Sequence, residues 1–179
     1  MSKYFDGFNC IRKEVGSMME QKLQSKQEGF ETVLLAVGEA DSLDVDQFAA
    51  EAIDAAKPSD ATVVLLHVFT EDEYDEARAN LKIDANSEMQ SPDAVARHHT
   101  PTRELANRLD ESGVEYEIRG AIGARGDEIV DFAEESGAER VLISGRSRSP
   151  TRKAMFGSTA QKVLLSSPCP VTFIRADVA

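Results

Sequence analysis

Thr32-Val33-Leu34-Leu35-Ala36-Val37 and, a helix-length later, Thr62-Val63-Val64-Leu65-Leu66-His67-Val68-Phe69 decide the fold. Both are nearly unbroken apolar runs. Such runs belong to strands covered on both faces, as in parallel sheets. Between them Val45, Phe48, Ala49, Ala52, Ile53 and Ala56 recur at helical spacing and form one apolar face. Ser42 stands where it can cap that helix, and Pro58 where it ends it. Strand, helix and strand make a βαβ unit, with right-handed crossover as the default.

The pattern continues to the end of the chain. Glu71 to Leu81 reads as a short acidic helix and Asp84 to Gln90 as loop. Ser91-Pro92-Asp93 starts a helix that runs to about Ser112 and stops at Gly113. Pro101 predicts a kink or restart inside it, with Thr100 as the new cap. Val114 to Ala121 is a third strand, and its alternation of apolar and charged residues places it at a wet face or a sheet edge. Asp127 is expected to cap a helix that Gly137 stops. Val141 to Ser144 is a fourth strand, Ser158 to Leu165 a helix and Pro170 to Ile174 a fifth strand. This is an α/β chain with a doubly wound, open parallel sheet. Ligands of such sheets bind beyond the carboxyl ends of the strands, where strand order reverses, and the loop after strand four is the natural place.

Residues 1–29 read as an N-terminal helical extension to a domain of residues 30–179. Tyr4, Phe8, Ile11, Val15 and Leu23 fall at steps of three and four, and Gly29 is a stop. The extension packs on its own domain or serves as an arm for a partner protein. Its mixed charges speak against lipid.

Totals bound the function. Of 179 residues 41% are hydrophobic, enough for a sizeable core. No apolar run approaches a membrane span, and Met1 to Cys10 shows no signal-peptide pattern, so a cytoplasmic location is expected. Cys10 and Cys169 stand far apart, outside any CxxC or Cys/His cluster, and read as reduced thiols. The net charge is −12, and only eight of the twenty basic residues are lysine. That balance suits solubility in a salty, halophilic-type cytoplasm, and equally an ordinary acidic protein. It disfavours nucleic acid and anionic membrane as partners.

The charge is uneven. Val141 to Ala176 contains no Asp or Glu but holds Arg146, Arg148, Arg152, Lys153, Lys162 and Arg175. A positive island on an acidic chain suggests a local anion site. Its centre is the loop from Gly145 to Ser158. Gly145 and Gly157 let backbone approach a ligand closely. Ser158-x-x-Gln161 has the form of a capping box, and the helix start that it marks favours an anion. Ser158 and Thr159 add hydroxyls. The loop is neither a Walker A sequence nor a GxGxxG turn. The bland alternative is a basic connector.

With these segments in view, the chain resembles the universal stress protein family. The resemblance is carried by the opening VLLAV strand, by LLHV at Leu65 to Val68 and by the closing GxxR…GST…CPV segment, and it covers about residues 30–175. It implies a five-stranded parallel sheet in the order 3-2-1-4-5, Rossmann-like and of the adenine nucleotide alpha hydrolase type. It implies a homodimer paired through the last strand, Pro170 to Arg175. It also implies ATP or AMP as ligand, with Mg only alongside ATP, held by a loop of the pattern G-x2-G-x9-G-S/T. Gly145, Gly157 and Ser158 match that loop's glycines and hydroxyl, and Thr159 would offer its backbone N–H to phosphate. Ala36 and Gly38 stand at the exit of strand one. Val68 matches a strand-two position whose backbone contacts adenine.

Two departures stand out. Arg148 replaces the second loop glycine and the spacer after it is one residue shorter than the pattern, and Gly38 replaces the Asp that recognises the nucleoside in ATP-binding members. Arg148 either adds a planar cationic donor for phosphate or fills the groove.

Other candidates read as structural. His67 is a core or rim histidine, and His98 and His99 lie on an exposed-looking helix without a Cys partner. Glu71, Asp72, Glu73 and Asp75 form a solvated face. No nucleophile–base pair and no SGGxDS or HIGH signature is found, so the expectation is a non-enzymatic protein. A nucleotide-free interaction module, its pocket blocked by Arg148, is the alternative, and a slow ATPase ranks below both.

Overall fold

A computed structural model describes residues 31–38, 44–81, 91–146 and 157–176. Five strands run in parallel: β1 (Thr32–Val37), β2 (Thr62–Phe69), β3 (Tyr116–Ile122), β4 (Arg140–Arg146) and β5 (Val171–Ala176). Their order across the sheet is β3-β2-β1-β4-β5, as the resemblance implies. Six α-helices accompany them among the described residues: α1 (Val45–Ala56), α2 (Glu71–Asn80), α3 (Pro92–Ala96), α4 (Thr100–Glu111), α5 (Arg125–Glu135) and α6 (Ser158–Ser166).

The unbroken apolar runs behave as their composition dictates. In β1 residues 33 to 37 are all buried, and in β2 residues 63 to 69 are. Alternation within each strand divides these side chains between two cores. Val33, Leu35 and Val37 meet Phe48, Ala52, Leu105 and Leu109 of α1 and α4. Leu34 and Ala36 meet Ile129, Ala133, Ala160 and Val163 of α5 and α6. Each fully buried Leu, Val or Phe contributes about 1.5–3 kcal/mol. The central strands β1, β2 and β4 therefore form the rigid platform from which any site at their carboxyl ends is hung.

Element ends depart from the sequence reading in ways that local hydrogen bonds explain. Asp44 caps α1, its carboxylate accepting from the Gln47 N–H at 3.1 Å; Ser42, the expected cap, lies outside the described residues. The restart at Pro101 is observed, but His99 is the N-cap and Thr100 is already helical. The strand expected from Val114 begins at Tyr116 because the Val114 N–H is spent on the Leu109 carbonyl, closing α4 around Gly113 at φ 68°. Helix α5 begins at Arg125, two residues before the predicted cap Asp127. The Gly123 N–H donates to the Phe69 carbonyl at 2.9 Å and turns the chain early, leaving Asp127 inside the first turn.

The edge strand β3 is covered by α3. The Asp93 carboxylate accepts from the Gly120 N–H at 2.7 Å and from Arg119 at 3.3 Å. A Cβ on Gly120 would stand 2.1 Å from the Pro92 carbonyl oxygen, so only glycine admits this approach. The opposite edge of the sheet is β5.

Candidate functional site

Beyond the carboxyl ends of β1, β2 and β4 lies a cleft of about 70 Å³. Here the sheet order turns back, since β1 is flanked by β2 on one side and β4 on the other. Ala36, Leu66, Val68 and Ile143 make its floor, Ile129 of α5 and Ala160 of α6 its wall. Gly38, Ser144, Thr159 and Arg125 reach it from the rim. An apolar slot with polar groups at its rim suits a flat ring bearing a charged tail.

The α6 end of the cleft is built by a helix start. Gly157 is the N-cap, and among the described residues no side chain caps the helix. The expected capping box at Ser158 and Gln161 is therefore absent: Ser158 is one residue too far in, and the Gln161 N–H already donates to the Gly157 carbonyl at 2.9 Å. The consequence favours an anion. First-turn N–H groups have no acceptor within their own helix, and without a side-chain cap among the described residues they are open to water or an anion. A capping box does occur, unpredicted, at Thr70 and Glu73 of α2.

Gly145 has a packing role that the sequence did not reveal. A Cβ there would lie 2.3 Å from Cζ of Phe173 on β5. The glycine accommodates that ring, and this accounts for it without a ligand.

Arg125 is the site residue that sequence reasoning missed. It opens α5, where the helix dipole disfavours a cation; that misplacement was the available signal. Its guanidinium donates to Glu73 Oε1, while Glu73 Oε2 accepts from the Thr70 N–H at 2.8 Å. Burial pushes the Glu73 carboxyl up, but the Thr70 N–H and Arg125 outweigh it and hold the group below its usual value. Glu73 is thus no mere member of a solvated acidic face.

On the sheet's other surface His67 is buried, 3% exposed. Its Nδ1 lies 3.0 Å from the Val37 carbonyl oxygen, next to the cleft's first strand. His99, expected on an exposed helix, instead stacks on it with ring centroids 3.8 Å apart. Burial lowers the His67 pKa; the Val37 carbonyl raises it, Arg125 lowers it and Glu73 raises it, with burial the largest effect.

Of the residues singled out beforehand, Ala36, Gly38, Val68 and Thr159 come together in the cleft. Gly157 and Ser158 flank it at the start of α6. Arg148 and residues 1–29 lie outside the described residues. Among the described residues no cluster of His, Cys, Asp or Glu is placed to hold a metal ion, and no helix is long and apolar enough to cross a membrane.

Comparison with known proteins gives a consistent result. The family model described as "Universal stress protein family" matches residues 29–175. The chain is 25% identical over 136 residues to a universal stress protein of Methanocaldococcus jannaschii, covering 75% of this chain and 78% of that one. It is 37% identical over 68 residues to one of Mycolicibacterium smegmatis; that match spans 37% of this chain and about half, 52%, of the relative. Among solved structures, a universal stress protein from Archaeoglobus fulgidus superposes with TM-score 0.58 at 23% identity, covering 80% of this chain and 97% of that one. The Archaeoglobus fulgidus universal stress protein in complex with dAMP gives 0.56 at 20% identity, covering 80% and 96%. A universal stress protein family protein from Arabidopsis thaliana with AMP bound gives 0.54 at 17% identity, covering 82% and 92%. At these identities the structural likeness establishes the fold.

Proposed function

The chain belongs to the universal stress protein family, and from that premise we propose that it is a non-enzymatic stress-response protein that binds a nucleotide, AMP or ATP, or another phosphate compound in the β1–β2–β4 cleft. One observation carries the reading: an apolar slot at the switch point of the sheet ends on the uncapped start of α6. The phosphate lies against the Ser158 and Thr159 amides, and the ring lies over Ala36 and Val68. The relatives named with dAMP and AMP support the choice of ligand class. Mg accompanies the ligand only when it is ATP. The protein acts in the cytoplasm as a homodimer paired through Pro170–Arg175, with residues 1–29 available to a partner protein.

Calorimetric titration with AMP, ATP and inorganic phosphate tests the ligand reading. Saturable binding of a nucleotide, weakened at least tenfold when Thr159→Pro removes an amide from the first turn of α6, is the expected result. No heat with any of the three overturns it and leaves the second reading, a nucleotide-free interaction module. The small volume of the cleft, about 70 Å³, is the observation on that side.

A further inference from the structure

We infer that Arg125 reads the phosphate of a ligand in the cleft: its guanidinium leaves Glu73 for the phosphate of a bound nucleotide, so that the site selects nucleotides over uncharged nucleosides. The inference rests on the nucleotide reading above and goes beyond it by naming the side chain that meets the phosphate and the group that competes for it.

The placement comes from a contact between two helices. Arg125 is the first residue of α5 and Gly126 the second. Gly126 is buried, and a Cβ on it would stand 3.6 Å from the Thr159 Cα and 2.9 Å from the Lys162 Cβ. The first turn of α5 therefore lies directly against the beginning of α6. Lys162 fastens the two helices further, its Nζ 2.7 Å from Asp127 Oδ1. Arg125 is thus rooted beside Thr159, at the end of the cleft where α6 starts, and both residues line the cleft.

The chemistry follows from the donor inventory. Arg125 is the only ionisable side chain among the cleft's described lining residues. A guanidinium donates and never accepts, and its planar fork matches two oxygens of one phosphate. Adenosine brings no such group, so it leaves Arg125 where it rests.

That resting place is Glu73, whose Oε1 accepts from the guanidinium. The two side chains are 34% and 39% exposed, and an ion pair this open to solvent is weak. A carboxylate carries a single charge, whereas a phosphate monoester carries about −1.5 to −2 at pH 7. The phosphate therefore wins the guanidinium once a nucleotide is seated. The flexible methylene stem of Arg125 lets its head change partners while its root stays on α5. Glu73 is not orphaned by the exchange, because its Oε2 keeps the Thr70 N–H at 2.8 Å. Glu73 is then a competitor of the ligand, and weakening it strengthens nucleotide binding.

Calorimetric titration of the full chain with AMP and adenosine, in wild type, Arg125→Met and Glu73→Gln, tests this, with circular dichroism to show each variant folded. Expected in wild type is tighter binding of AMP than of adenosine. Arg125→Met weakens AMP about tenfold, the size of a hydrogen bond to a charged group, and leaves adenosine nearly unchanged. Arg125→Lys, which keeps the charge and loses the fork, recovers part of the loss. Glu73→Gln, whose amide oxygen still accepts from Thr70 in the capping box, tightens AMP severalfold without changing adenosine. AMP binding no tighter than adenosine in wild type, an AMP affinity that survives Arg125→Met, or a loss shared equally by adenosine overturns the phosphate assignment while the nucleotide reading stands. An AMP affinity unchanged in Glu73→Gln overturns the competition. Binding of neither ligand to wild type overturns both readings.

Discussion

The imidazoles of His67 and His99 are stacked, with centroids 3.8 Å apart and planes 27° from parallel. His67 Nδ1 lies 3.0 Å from the Val37 carbonyl oxygen, and His99 Nδ1 lies 3.0 Å from Thr102 Oγ1. A carbonyl only accepts, so the His67 proton sits on Nδ1. The stack joins the end of β2 to the turn that opens α4, behind the strand that floors the cleft. It is compatible with one charge at most, since two imidazolium rings at this separation repel strongly.

A pH dependence of stability follows. His67 is held below its usual value of 6.5 in the folded chain. As pH falls below that value the unfolded chain takes up a proton that the folded chain refuses, so unfolding is favoured. Stability is full above about pH 6.5, declines at no more than about 1.4 kcal/mol per pH unit for this one proton, and levels off below the folded-state pKa. Thermal melts between pH 7.5 and 5 check it. His67→Phe, which keeps a ring in the stack but cannot titrate, should melt lower at pH 7.5 and show a shallower decline. Equal slopes in both proteins would refute the assignment to His67.

Glu73 has the opposite sign of charge and a lower window. Its carboxyl is held below the usual value of 4.5. The stabilisation from the Thr70 cap and Arg125 is present above that value and is lost as pH falls through the folded-state pKa. The His67→Phe variant should therefore retain a second acid transition below about pH 4.5. Glu73→Gln should diminish it. Circular dichroism at 222 nm against pH resolves the two steps.

Gly145→Ala separates a packing glycine from a ligand-approach glycine. The added methyl meets the far end of the Phe173 ring, on an edge strand that can yield. The expected cost is about 1–2 kcal/mol in urea unfolding. Combining it with Phe173→Leu should recover part of that cost, because the shorter side chain makes room. An additive double mutant would show that the two residues do not interact.

Gly120 and Asp93 fasten α3 over β3. Gly120→Ala drives a methyl into the Pro92 backbone and should cost about 3 kcal/mol. Asp93→Ala, which orphans the Gly120 N–H, should cost about 1–2 kcal/mol, and Asp93→Asn less, since its amide oxygen can still accept. Hydrogen exchange of β3 amides should rise in the order Asn, Ala, Gly120→Ala.

The proposed pairing of two chains can be tested at the other edge. Val171 and Phe173 are half-buried on β5, and they pack with Leu164 of α6 against the same core. Sedimentation velocity of wild type should give a dimer, and Phe173→Glu a monomer with unchanged circular dichroism. A monomeric wild type, or a dimeric Phe173→Glu, contradicts pairing through β5.

How much of this could be read from the chain depended on whether the cause was local. The unbroken runs of β1 and β2 and the alternation of β3 report burial on two faces or at an edge, and they placed those strands correctly. The stops at Gly113 and Gly137 were legible because a positive φ requires them, 68° and 63°. One helix start slipped, to Arg125, where a turn made by a distant carbonyl sets the boundary; α6 begins at Ser158 as expected, but without the capping side chain that the sequence suggested. Arg125 and His99 were missed for one reason. Their partners Glu73 and His67 are 52 and 32 positions away, and no periodicity carries that information.

The unequal treatment of the two sheet edges bears on how copies of this chain can meet. With Pro92 and Asp93 packed on β3, β5 is, among the described residues, the sheet edge left for strand pairing between molecules. A pair formed there is self-complementary and consumes the open edge of both members. Growth by edge-to-edge addition then ends at two, so the short helix α3 that covers β3 also works against a fibre.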